Sequence, residues 1–287
     1  MSMRVGLPSG HARAPIESMF HRLGLGPCIR TSFSLLSGDD IECVFVRDQD
    51  IPRCVESGTL DCGLTGHEWI HESGSSVISV AELICARRNL DFNRWVLAVP
   101  ADSAYHAVED LAGKVVVTEL ARAAAHYFRV RNISITVEIS RDPMQSHLPM
   151  PGDAVLEDLK SSASLRNGDF RILATVLQSA TEFIVNEQAW TDAVRHDELE
   201  GLALMLCGDL QAQERVGLMF TVRKGDLPAA LRLFPPGQRP RISPTSDEVW
   251  VTVNTVIEEA TAWNTMGALK AVRAENIVEF PLRKVLL

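Results

Sequence analysis

The stretch "IECVFVRDQDIPRCVESGTLDCGLTG", residues 41–66, decides the fold. Its first seven residues are Val, Ile, Cys and Phe interrupted by one Glu and closed by Arg47, the composition of a buried strand. Asp50 then opens a helix over 50–58, with Pro52 in the first turn, where a missing backbone N–H leaves no helical hydrogen bond unmade. "LDCGLTG" (60–66) supplies the next short strand and a turn. A buried strand, a short helix and a second buried strand make a crossover unit, so the sheet is parallel and the class is α/β.

The same grammar extends in both directions. Upstream, "MRVGLP" is a strand ended by Pro8-Ser9-Gly10, and "APIESMFHRLGLG" places Ile16, Met19, Phe20 and Leu23 on one helical face that stops near Gly24 or Gly26. Downstream come a strand "RWVLAVP" (94–100), a helix around "AVEDLAG" (107–113), a strand "KVVVTE" (114–119), a helix "LARAAAHYFRVRN" (120–132) and a strand "SITVEIS" (134–140). "FRILATVLQSATEFIVN" (170–186) holds two strands, and "EQAW" opens a helix extending to about Cys207, continued by a connector through "DELEGLALMLCGDLQAQERVG".

From Leu218 the pattern changes. "GLMFTVR", "LPAALRLF", "EVWVTVNTVI", "EEATAWNTMGALKAVRAE" and "NIVEFPLRKVL", with one short strand near Arg241, give the order β-α-β-β-α-β of a small ferredoxin-like module.

Bulk properties narrow the function. A chain of 287 residues with 46% hydrophobic and 23% charged residues is a globular protein of two or three domains. A net charge of −9 argues against a general nucleic-acid binder, while leaving room for a small anionic ligand held by a few arginines. The six cysteines (28, 43, 54, 62, 85, 207) form no CxxC pair and no metal-ligand spacing, so a reducing cytoplasm is expected. No apolar run is long enough to cross a bilayer, and the N-terminus lacks a signal-peptide core.

The chemistry-bearing candidates are few. In "GDAVLEDLKSSASLRNGDF" (152–170), Glu157 and Asp158 precede Ser161, Ser162 and Ser164. Small residues there suit either a phosphate cradle or a polar turn in which Ser or Asp caps the next helix. Gly63, Thr65 and Gly66 form a second turn, His11 stands beside a third, and Arg30 and Arg47 are either ion-pair partners or ligands for an anion.

Taken together, "RVGLPSGHA", "VRDQDIPRCVESGTLDCGLTGHEW", "DLAGKVVVTE", "ATVLQSATEFIVNEQAW", "RPRISPTSDEVWVTVNTVI" and "IVEFPLRKVL" resemble the ATP phosphoribosyltransferase family in its long form with a C-terminal regulatory domain. The resemblance implies two α/β domains of periplasmic-binding-protein type II architecture around a cleft, with the chain crossing near residue 98 and returning near 175. It implies a first domain of 1–97 with 177–213, a second of 98–176, and a ferredoxin-like (ACT-like) domain of 214–287 for regulation or assembly. The implied substrates are ATP and phosphoribosyl pyrophosphate, with Mg²⁺ on the departing pyrophosphate. Histidine is the implied effector at the C-terminal domain, and the implied assembly is a homo-oligomer, hexamer or dimer.

Carried over to this sequence, the family's acid and phosphoribosyl loop fall on Glu157 and on Ser161, Ser162, Ala163, Ser164 and Leu165. Arg30, Arg47 and His11 are the expected catalytic cations, and Asp158, Gly10, Asp61, Thr65 and Gly66 the further substrate contacts. The sequence departs from the family at Ser162 and Ala163, which replace a glycine and a threonine, and at Ser9-Gly10-His11, which replaces Lys-Gly-Arg. Arg13, Arg53 and His67 are the candidates to restore the lost charge. The departures fit a specialised paralogue, as in nucleoside-antibiotic pathways of the coformycin type. The alternative is a catalytically impaired copy acting as a nucleotide-binding or regulatory protein.

Overall fold

The computed structural model describes residues 2–10, 12–26, 29–30, 41–85, 90, 92–140, 152–160, 162, 165, 167–247 and 249–286, with backbone alone for 29 and 30. The chain divides into two compact units, 1–203 and 204–287.

In chain order the first unit holds β1 (Met3–Pro8), α1 (Arg13–Arg22), β2 (Ile29–Arg30), β3 (Ile41–Val46), α2 (Ile51–Glu56), β4 (Cys62–Gly66), α3 (His67–Ser73) and β5 (Ile78–Leu83). It continues with β6 (Asn93–Pro100), β7 (Val115–Thr118), α4 (Ala121–Val130), β8 (Thr136–Ile139), β9 (Ala154–Asp158), β10 (Phe170–Ser179), β11 (Thr181–Val185) and α5 (Glu187–Thr191). Helix α6 (Ala193–Gln213) carries the chain past the division between the units.

The opening stretch behaves as its pattern requires. β1, β3 and β4 run parallel, and α2 buries Ile51 and Val55 against Leu60 and Ile184. A Cβ on Gly63 would overlap the Ile51 side chain, so the glycine is what lets the helix lie this close to the sheet. The full sheet has the order β2-β3-β1-β4-β11-β5, in which β11 runs antiparallel to both its neighbours, β4 and β5.

The second sheet, β10-β6-β9-β7-β8, has two covered faces. Trp95, Leu97, Val116, Ala154 and Leu156 pack against Leu120, Ala124, Tyr127 and Phe128 at and along α4. On the opposite face, Val96, Ala98, Val117 and Val155 pack against Leu165. These are the two lobes expected of a cleft-forming α/β body.

The crossings between lobes lie elsewhere than expected. β6 and β10 pair antiparallel from Asn93↔Ser179 to Pro100↔Phe170, with register shifts between Ile172 and Ala174 and between Thr175 and Leu177, so a boundary at 97/98 or 176/177 would cut through paired strands. β5 of the first sheet ends at Leu83 and β6 of the second begins at Asn93, and the chain returns at Ala180, which is buried. Two further expectations change locally. "AVEDLAG" makes only a 3₁₀ turn, Val108–Leu111, tightened by the Asp110 carboxylate accepting the His106 and Ala107 N–H groups. The single helix expected from "EQAW" is broken at Asp192, whose extended ψ of 119° ends α5 and whose carboxylate accepts the Arg195 N–H in the first turn of α6.

The second unit holds β12 (Arg215–Arg223), α7 (Leu227–Leu231), β13 (Arg241–Pro244), β14 (Trp250–Glu258), α8 (Glu259–Ala271) and β15 (Glu275–Pro281). Its sheet order β13-β14-β12-β15, antiparallel throughout, is the ferredoxin-like arrangement. Val216, Leu218, Phe220 and Val253 on its inner face pack with Ala230, Ala262 and Leu269 of the two helices.

Candidate functional site

Parallel strands place their carboxyl ends along one edge, and in open α/β sheets that edge is where ligands enter. In the first lobe the edge is formed by Pro8–Gly10 after β1, Val46–Arg47 after β3 and Thr65–Gly66 at the end of β4. Asp48 ties these ends together. Its carboxylate accepts the Gly10 N–H at 3.2 Å, and its carbonyl accepts the Thr65 hydroxyl at 2.8 Å. Thr65 is 1% exposed, so its hydroxyl holds the scaffold rather than facing solvent.

In the second lobe, β7, β8 and β9 are parallel, with Thr118 level with Ile139 and Leu156. Their carboxyl edge carries Glu119, Ile139 and Glu157. A cavity of about 210 Å³ joins the two edges. Gln49, Asp50 and Arg53 line it from the first lobe, Glu119 and Ile139 from the second, with Trp69 and Glu72 of α3 along the seam.

The neighbouring acids Glu157 and Asp158 do not act as a pair. Side chains alternate across a strand. Asp158 shares the parity of Leu156 on the α4 side, is 4% exposed and accepts the Lys160 N–H at 3.2 Å. Glu157 shares the parity of Val155 and is only partly buried. Only Glu157 stands on the face of the following turn, so Asp158 is corrected from substrate contact to turn anchor. The Asp158 carbonyl accepts the Ser162 N–H, and the Ser162 hydroxyl accepts the Leu165 N–H at 3.3 Å. Leu165 itself is core, packed with Val117 and Val155.

Asp61 is also corrected. It precedes β4, at the opposite edge from Gly66, about 16 Å away at 3.3 Å per residue. There its carboxylate accepts the Arg4 N–H at 2.7 Å, a scaffold role. Arg47 is on the correct edge, its guanidinium 2.6 and 2.8 Å from the Asp50 carboxylate. Arg30 ends β2, parallel to β3. His11, Ser161, Ala163 and Ser164 lie outside the described residues.

Of the three candidates to replace lost charge, Arg13 lies over the Phe45 ring, 4.1 Å from its centroid, and 3.8 Å from Glu17. His67 is 2.6 Å from Glu182. Arg53 alone of the three lines the cavity.

Sequence reasoning passed over two acids of α3, four residues apart and therefore on one helical face. Glu68 is 2% exposed and accepts the Ser179 hydroxyl, with the Asn93 and Trp95 side chains also turned toward it. Burial pushes its carboxyl above the ordinary range, against the opposing pull of those hydrogen bonds. Glu72 reaches α4 in the other lobe. Trp69, on the same helix, meets Trp95 edge to face at 5.6 Å. The readable signal was the i,i+4 acid pair directly after the "LTG" turn.

Among the described residues no cluster of three or more His, Cys, Asp or Glu side chains is placed to hold a metal ion. A divalent cation that arrives bound to phosphate oxygens needs no such cage, and Asp50 and Glu119 are hard oxygen donors at the cavity wall.

Comparison with known proteins gives two matches in chain order. Residues 47–208 match the family model described as "ATP phosphoribosyltransferase", and residues 212–284 match that described as "HisG, C-terminal domain". Over its full length and theirs, the chain is 42% identical to an ATP phosphoribosyltransferase of Koribacter versatilis and 37% identical to one of Solibacter usitatus. Among solved structures it resembles a chain of the ATP phosphoribosyl transferase (HisG:HisZ) complex from Thermotoga maritima. That match has a TM-score of 0.57 and 19% identity, covering 71% of this chain and 96% of that one, a likeness of fold.

Proposed function

The chain belongs to the ATP phosphoribosyltransferase family, and on that premise we propose how its own residues divide the work. The protein transfers the phosphoribosyl group of phosphoribosyl pyrophosphate to N1 of ATP and releases pyrophosphate, the first step of histidine biosynthesis.

The anomeric carbon develops oxocarbenium character as pyrophosphate leaves, so catalysis rests on aligning two substrates and neutralising the leaving group. Glu157 binds the ribose hydroxyls through its carboxylate, and Ser161, Ser162, Ala163 and Ser164 bind the 5′-phosphate. The observation that carries this assignment is the placement of Glu157, rather than Asp158, on the sheet face that packs with Leu165. Ser162 stands where the family has a glycine, and its hydroxyl accepts the Leu165 N–H.

Arg47 and Arg53 supply the positive charge for the pyrophosphate, with Arg53 standing in for the cations missing at Ser9 and His11. Mg²⁺ carried by the substrates would offset charge on the pyrophosphate, and Asp50 and Glu119, oxygen donors of the cavity wall, would hold it. Asp48 is scaffold: it fixes Gly10 and Thr65 so that the edge keeps its shape.

The ferredoxin-like unit takes histidine as feedback inhibitor and assembles the protein, as a hexamer or dimer; Trp263 at 83% exposure and the exposed Val278 support an assembly surface. A cytoplasmic setting suits Cys43, Cys54, Cys62, Cys85 and Cys207, which form no disulfides. Among the described residues no helix is long and apolar enough to cross a membrane. Calorimetry with phosphoribosyl pyrophosphate and Mg²⁺, then a histidine titration of activity and Tm, tests the assignment. Binding that is lost in Glu157→Gln, and inhibition by histidine, are expected. A Glu157→Gln variant that binds as tightly as the natural chain overturns the ribose role. Histidine that shifts neither activity nor Tm overturns the regulatory one and fits a specialised pathway instead.

A further inference from the structure

Helix α4 begins without a cap of its own. Its N-cap position is Leu120, which makes no side-chain capping bond, and its first turn contains no acid. The exposed N–H groups of such a turn need an acceptor. It comes from the other lobe: the Glu72 carboxylate, near the end of α3, accepts the Arg122 N–H at 2.9 and 3.0 Å and the Ala123 N–H at 3.3 Å.

A second contact at the same junction fits the first. Gly74 ends α3 with φ +66°, and a Cβ there would overlap the Arg122 guanidinium, so the glycine admits both the turn and the close approach of α4. Glu72 also lines the cavity that joins the two carboxyl edges. A carboxylate on helix N–H groups is a charge-assisted bond reinforced by the helix dipole.

We propose that Glu72 is a positioning residue: its carboxylate ties α3 to the start of α4 and so holds the lobes at the separation in which both substrates are aligned. The proposal rests on the transferase reading above but concerns a residue outside it. A ligand that needs the tied arrangement binds more weakly in proportion to the time the lobes spend untied. Loss of the carboxylate therefore raises the KM of ATP and of phosphoribosyl pyrophosphate together and leaves kcat nearly unchanged.

The test uses the full chain with Glu72→Ala and Glu72→Gln. Readouts are hydrogen exchange at the Arg122 and Ala123 amides, calorimetry with phosphoribosyl pyrophosphate and Mg²⁺, and steady-state kinetics. In Glu72→Ala the two amides should lose protection and both KM values rise about ten-fold, with kcat within about two-fold. Glu72→Gln, which keeps an acceptor oxygen, should fall between Glu72→Ala and the natural chain. Faster exchange with unchanged KM and affinity would make the junction merely structural and overturn the proposal. A fall in KM would overturn it too, since the carboxylate would then be a competitor of substrate for the α4 amides. Exchange and calorimetry read the tie without turnover, so failure of the transferase reading, seen as no ATP adduct in the natural chain, stays distinguishable.

Discussion

The carboxyl of Glu68 meets the hydroxyl of Ser179 inside the seam between the lobes, joining the first turn of α3 to the last residue of β10. Because burial raises the Glu68 pKa above 4.5, the folded chain holds this proton more tightly than the unfolded one. The contribution to stability is therefore full below the unfolded value and is lost as pH rises through the folded one. Glu68→Gln should raise Tm by a few degrees at neutral pH, the effect of about 1 kcal/mol, and show no gain near pH 4. Tm against pH for both chains checks this; a variant less stable at neutral pH contradicts it.

Asp48 and Thr65 anchor the first carboxyl edge through a hydrogen bond from the buried Thr65 hydroxyl to the Asp48 carbonyl. Thr65→Val leaves the Asp48 carbonyl without that donor and should lower stability by about 1–2 kcal/mol in denaturant unfolding. The KM for both substrates should rise modestly, since the edge they meet is loosened. Unchanged unfolding would show that the bond is dispensable.

Arg53 and Arg47 separate by their partners. Arg47→Ala removes a half-exposed pair with Asp50, so stability should change by less than about 1 kcal/mol. Arg53→Gln should reduce kcat/KM about 10- to 100-fold with Tm unaffected, the worth of one charge-assisted bond to phosphate. Full activity in Arg53→Gln would place the compensating charge elsewhere.

Glu157 and Asp158 should divide cleanly. Glu157→Gln is expected to raise the KM for phosphoribosyl pyrophosphate and spare Tm, while Asp158→Asn lowers Tm because a buried turn anchor weakens. Kinetics and melting of the two variants side by side settle the division, and identical phenotypes count against it.

Much of this was legible in the sequence. The strand-helix-strand at 41–66 gave the parallel sheet, and the order of elements after Leu218 gave the ferredoxin-like unit, because both follow from local periodicity. Membership of the family was legible from motifs spread along the chain. What was not legible depends on pairing partners. The lobe crossings required the β6–β10 ladder, which joins residues 93 and 179. The opposite facing of Glu157 and Asp158 followed from strand parity once β9 was known to end at Asp158. Asp61 was misread because a motif fixes spacing but not which edge of the sheet a residue occupies. Glu72 carries no local sign of its partner, which lies 50 residues away in the other lobe.

The defining activity of this chain is transfer of the phosphoribosyl group to N1 of ATP. The most direct measurement mixes the natural chain with ATP, phosphoribosyl pyrophosphate and Mg²⁺ and follows the absorbance of the N1 adduct alongside pyrophosphate release. Adduct and pyrophosphate should appear in equal amounts, with the rate sharply reduced in Glu157→Gln. Tight binding of phosphoribosyl pyrophosphate with no adduct, for ATP or any other purine nucleotide offered, would contradict it.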